Sequence, residues 1–136
     1  MEEIKQTNLV GLMPRQVVVL MIDFQNAFCH PDSHTVNDKV SNEATARRAN
    51  AFALRASRLG ASVLYSRQVM DPGVLTARQL HWDETDGICR KGSWDAELYV
   101  TPVSGSTVVT KNRFDIWQSR EFLAYVEKKN PEGFVI

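Results

Sequence analysis

The apolar positions first gather at Val17-Val18-Val19-Leu20-Met21-Ile22, with no polar alternation, and the run ends on Asp23. A continuous, β-branched run entered from Pro14 predicts a strand over 16–23 that is buried on both faces. Residues 1–13 read as a lead-in arm, and Gln25 to Asp38, with Pro31 and its polar neighbours, reads as loop. A helical period follows from Val40 to Leu59. Val40, Ala44, Ala51 and Leu54 share one side, and Arg47, Arg48, Arg55 and Arg58 lie mostly elsewhere. Gly60 stops that helix, and Ala61 to Ser66 predicts the second strand, so the two strands are expected to run parallel through a right-handed crossover. Residues 67–92 lack a period except for one helical turn near Leu75–Leu80. Ser93 is a candidate cap for a short helix through Glu97, closed by Pro102. Ser106 to Thr110 predicts a third strand ending in Lys111. Ser119 to Lys129 predicts a helix with Phe122, Leu123 and Val126 inward, stopped at Asn130-Pro131. Gly133 then opens a fourth strand at Phe134-Val135-Ile136, and the chain is expected to be interrupted there.

Composition narrows the class. The 136 residues allow one domain with a real core, and 43% apolar with 24% charged residues is ordinary for a globular chain. Lys+Arg and Asp+Glu balance at 16 each, which gives no electrostatic case for nucleic acid or an anionic membrane as partner. No apolar run reaches membrane-spanning length, and Met1-Glu2-Glu3-Ile4-Lys5 does not resemble a signal peptide. Cys29 and Cys89 match no metal or redox spacing, so free thiols in a cytoplasmic protein are expected. A nucleotide-binding fold would need a glycine-rich turn after a strand, and Asp23-Phe24-Gln25-Asn26-Ala27-Phe28 has none.

Charge placement supplies the chemistry. Asp23 follows the first buried strand and Lys111 ends the third, and parallel strands bring both to the same edge of the sheet. An ammonium beside a carboxylate keeps the carboxylate ionised and available as a base. An ordinary ion pair closing the top of the sheet would show the same spacing.

The flanking residues bear on this choice through a resemblance to a known family. Val19-Leu20-Met21-Ile22-Asp23-Phe24-Gln25-Asn26-Ala27-Phe28-Cys29-His30-Pro31-Asp32 resembles the opening motif of the isochorismatase-like cysteine hydrolases. Tyr65-Ser66-Arg67-Gln68-Val69 is similar to their second-strand segment, and Gly92-Ser93-Trp94-Asp95-Ala96-Glu97-Leu98 to the short helix before their third strand. Val108-Val109-Thr110-Lys111-Asn112-Arg113-Phe114-Asp115-Ile116-Trp117 resembles their lysine motif. Four motifs in this order cover nearly the whole chain.

The resemblance implies an α/β fold: a doubly wound parallel sheet with helices on both faces, in three layers, whose C-terminal strands and helices are missing from the chain. It also implies an Asp–Lys–Cys triad in which Asp23 and Lys111 hold the first two positions. The family's cysteine follows the fourth strand and so falls beyond Ile136. Cys29, in the loop over the site, and Cys89 are poor substitutes. Phe28, Phe114 and Trp117 would wall the pocket, and Arg67 and Gln68 would hold a substrate carboxylate or amide. Arg67-Gln68-Val69-Met70-Asp71 lacks the Asp-x-His pattern of the metal-binding nicotinamidases, so neither metal nor other cofactor is expected. His30 and His34 read as loop residues. The implied activity is cleavage of a C–N bond in a small amide, carbamoyl or ureido acid. The alternatives are a true isochorismatase, acting on a vinyl ether, and a catalytically inactive binding or dimerisation module. The implied partners are a small-molecule substrate, further copies of the chain in a homo-oligomer, and a second chain if that carries the missing part.

Overall fold

A computed structural model describes residues 11–35 and 38–136. The lead-in arm expected over 1–13 therefore lies outside the described residues up to residue 10, as do residues 36 and 37 of the expected loop. Four strands form one sheet: β1 (Val17–Ile22), β2 (Ser62–Gln68), β3 (Thr107–Lys111) and β4 (Gly133–Val135). The order is β3-β2-β1-β4, and every pairing is parallel. The chain steps outward from β1 to β2 to β3, then returns to place β4 on the other side of β1. The carboxyl end of β1 is therefore the topological switch point, where such sheets bind ligands.

Helices cover both faces. On one face α2 (Lys39–Arg58) packs on Val19, Met21, Val63 and Tyr65. On the other, α4 (Arg120–Lys129) seats Phe122 on Val18, Leu20, Leu64 and Val109. Alternation along β1 and β2 sends these side chains to opposite faces, which is why the strands read as unbroken apolar runs. Ser119 caps α4 by accepting from the Phe122 N–H at 3.3 Å. Asn130 closes the helix in the left-handed region at φ 44°, with Lys128 and Lys129 in the last turn. None of the described helices is long and apolar enough to cross a membrane.

Several expectations are corrected. The side of α2 that faces the sheet carries Ala46, Ala49, Ala53 and Ala56, whereas Val40 is 80% exposed and Leu54 39%. Both stripes are apolar; small side chains win because they let the helix approach the sheet closely. Leu123 instead points outward, 44% exposed, while Phe122 faces the sheet with Val126, as expected, and Tyr125 packed beside it. Ser93 does not cap a helix: its hydroxyl turns to Arg90 O and the Asp95 carboxylate, and only a 3-10 turn, Trp94–Ala96, forms. The expected loop opens with a short helix, α1 (Asn26–Cys29), and the single turn expected near Leu75–Leu80 is part of a longer helix, α3 (Ala77–Asp86).

Tyr65 is fully buried beneath α2, and its hydroxyl donates to Asn50 Oδ1 at 2.7 Å and accepts from the Val103 N–H at 3.2 Å. Tyr65→Phe removes that oxygen and strands both partners. A loss of about 1–3 kcal/mol is expected in urea unfolding; an unchanged midpoint would mean that the hydroxyl ties nothing together.

Candidate active site

Asp23 leaves β1 with φ 55°. Aspartate and asparagine tolerate this left-handed region better than other side chains, and residues held there cluster at functional sites. The turn lets the Asp23 N–H still donate to Ser66 O at 3.2 Å while the carboxylate swings over the sheet edge. Its two oxygens are then shared out. Oδ1 accepts from Ser66 Oγ at 2.8 Å, and Oδ2 meets Lys111 Nζ at 2.8 Å.

Lys111 ends β3 directly opposite Gln68 in the β2–β3 register, so both side chains leave the same face. The Lys111 side chain is 2% exposed and that of Asp23 22%. A charge this deep requires a partner, since its desolvation is otherwise uncompensated. Besides Asp23, the ammonium donates toward Gln68 Oε1 at 3.0 Å, Phe114 O at 3.3 Å and Arg113 O at 3.4 Å. The result is a carboxylate at the rim, hydrogen-bonded by Ser66 and paired with a buried cation behind it. That arrangement suits a base that takes up a proton and later returns it.

The other expected site residues separate. Arg67 points to the opposite face of β2 from Ser66 and Gln68, where Thr110 Oγ1 at 3.1 Å and Glu97 at 3.3 Å take its guanidinium. It does not join the pair. Gln68 is 3% exposed and is an internal partner of Lys111 rather than an open contact. Phe28 is half-buried and packs between the α2-side core and a cluster of Ala27, Cys89 and Ala96. Phe114 lends its carbonyl to Lys111 while its side chain is 72% exposed. Trp117 lies edge-on to Phe122 at 4.9 Å and remains half exposed. A cleft of about 480 Å³ runs past Val74, Arg113 and Ser119 and is lined by Lys111 but not by Asp23.

Two contributors were not anticipated, Ser66 and Gln25. Gln25 is fully buried, and its only signal in sequence is an uncharged polar residue two positions past Asp23.

Both cysteines are shut away. Cys29 is not a loop thiol but part of α1, buried in the α2-side core, and burial pushes its pKa up to about 11. Cys89 sits at φ 55° beside Gln25 Nε2, 3.5 Å away. Burial first, then the Asp95 and Asp23 carboxylates, raise its thiol to about 12. Neither supplies thiolate near neutral pH. Iodoacetamide at pH 8 should therefore leave both unmodified in the folded protein and label both after denaturation, as read by peptide mass. The sign with pH follows: both folded pKa values lie above the ordinary 9.0, so the stability these thiols contribute is complete below about pH 9 and is lost as pH rises toward 11–12.

A parallel sheet wound both ways from one strand, with a buried lysine–aspartate pair over the switch point, defines an α/β protein with its charged pair at the edge where such sheets bind ligands. The sequence profile of the isochorismatase domain matches residues 17–136, and the chain belongs to that family. No curated protein matches the chain. Solved structures share the fold. An isochorismatase family protein from Desulfovibrio vulgaris is 23% identical with a TM-score of 0.69 over 88% of this chain and 65% of its own. A cysteine hydrolase from Pseudomonas syringae is 19% identical with a TM-score of 0.71 over 90% of this chain and 59% of its own. A pyrazinamidase of Pyrococcus horikoshii, solved in complex with zinc, is 12% identical with a TM-score of 0.66 over 88% and 68%. The chain thus spans 65% and 59% of the first two.

Proposed function

We propose that the protein is an amidase-type cysteine hydrolase in which Asp23 and Lys111 are two members of the triad and the thiol comes from beyond Ile136. The carrying observation is the 2.8 Å contact between the buried Lys111 ammonium and the Asp23 carboxylate at the switch point. Asp23 takes the thiol proton as sulfur attacks the carbonyl carbon of a small amide, carbamoyl or ureido acid. The C–N bond breaks, the amine leaves with the proton from Asp23, and a thioester remains. Water, deprotonated by Asp23, then releases the acid and regenerates the thiol. Lys111 holds the Asp23 carboxylate in place through both transfers. The pyrazinamidase neighbour supports amide rather than vinyl ether chemistry. These steps are written without a metal, and after β2 Gln68 Nε2 and Met70 Sδ face each other at 3.4 Å. The reading carries with it a cytoplasmic protein and a homo-oligomer.

The burial of both described thiols favours a second reading, a binding module without turnover. One series separates them. The intact mass of protein purified from its natural source is compared with 15.4 kDa, and turnover is assayed on nicotinamide, pyrazinamide and N-carbamoylglycine before and after iodoacetamide. Amide cleavage, stopped by alkylation at a cysteine other than Cys29 and Cys89, is the expected result. A single 15.4 kDa species with no turnover hands the assignment to the binding module.

A further inference from the structure

We infer that Gln68, clamped by Gln25, is the positioning residue that aims the Lys111 ammonium at Asp23, an inference that rests for its catalytic meaning on the triad reading above. An ammonium has three N–H donors and can pivot about its stem. Here one donor goes to Asp23 Oδ2 at 2.8 Å and a second to Gln68 Oε1 at 3.0 Å, while the carbonyls of Phe114 and Arg113 stand farther off at 3.3 and 3.4 Å. Gln68 is thus the shorter of the neutral contacts, and only its oxygen can accept; the NH₂ group turns to Met70 Sδ.

Gln68 itself is held by Gln25. The Gln25 side chain accepts from the Gln68 N–H at 2.7 Å and donates to Gln68 O at 2.8 Å and Ala96 O at 2.7 Å. It substitutes for backbone. Asp23 has turned out of β1, so the ladder with β2 would stop at Ser66, and the Gln25 amide supplies the next pair of hydrogen bonds. Every donor of that buried amide is used, which explains a glutamine with no exposed surface at this position. Bending Asp23 into place and fixing the lysine that serves it are therefore one construction.

The test uses ¹⁵N NMR of the lysine Nζ group, with the Lys111 signal assigned through Lys111→Arg. In the unaltered protein, nuclear Overhauser contacts are expected between the Lys111 ammonium and the Gln68 side chain. Gln68→Met keeps the length and removes the acceptor; solvent exchange of the ammonium should quicken on the order of tenfold. Gln68→Glu keeps an acceptor at the same reach and should retain protection. Where one of the three amides above is turned over, Gln68→Met should lower kcat on the order of tenfold with KM within about twofold. Exchange unchanged in Gln68→Met overturns the inference, and should that variant not fold, absence of the Overhauser contacts in the unaltered protein does the same. Neither arm needs a substrate. Asp23→Asn run in parallel isolates the triad reading, because retained turnover there defeats catalysis by Asp23 whatever Gln68 does.

Discussion

Asp23→Asn should lower amide turnover on the order of 10²–10⁴-fold and leave the fold in place. Asparagine is nearly the same shape, accepts the Ser66 hydroxyl as aspartate does, and tolerates φ 55°. What it lacks is charge. It cannot take a proton from a thiol, and it cannot neutralise the Lys111 ammonium, whose side chain is 2% exposed. Gln68 and two carbonyls remain as acceptors for that cation, so the variant should stay folded with a lower melting temperature rather than collapse. Asp23→Ala is the poorer experiment, because a Cβ-bearing residue without a short polar side chain is strained at that backbone angle and confounds catalysis with stability. Circular dichroism checks the fold, and turnover within about threefold of the parent would remove Asp23 from the mechanism.

Phe122→Ala is expected to be the most damaging single core change, costing about 3–5 kcal/mol and lowering the melting temperature by roughly 10–15 °C. Phe122 has no exposed surface, and its ring meets Trp117 at 4.9 Å and Phe134 at 6.3 Å. It joins α4 to β1, β2 and β3 through Val18, Leu20, Leu64 and Val109. Removing the ring leaves a cavity, which adds to the lost burial. Domains of this kind have about 5–15 kcal/mol in total, so the variant should approach the edge of folding. The segment between β3 and α4 also supplies the Arg113 and Phe114 carbonyls that face Lys111, so the damage should reach the site. Leu123→Ala, one residue along the same helix and 44% exposed, is the control and should change stability by no more than about 0.5 kcal/mol. Equal effects of the two would mean that α4 packs through a different face.

The strands were legible because burial on both faces forces unbroken apolar runs, and Val17–Ile22 is such a run. Asp23 and Lys111 were legible for the same reason: a charge that terminates a buried strand has only the sheet edge to occupy. The helix faces were not. On α2 the alanine stripe and the valine–leucine stripe are both apolar, and hydrophobicity alone ranks the wrong one first; the choice is made by how near the helix must come to Val19, Val63 and Tyr65. Arg67 and Gln68 are adjacent in the chain and looked interchangeable as substrate contacts. Strand alternation sends them to opposite faces, one to Glu97 and the other to Lys111.

What the chain determines by itself is local: which segments are buried, where they stop, and which charges stand at their ends, all set by hydrophobic period and terminating residues. What only the tertiary structure decided is convergence. The switch point beside β1, the roles of Ser66 and Gln25, and the sealing of Cys29 and Cys89 depend on residues brought together from distant parts of the chain. Hydrogen bonds and desolvation act between neighbours in space, and no pattern along the chain records which neighbours those are.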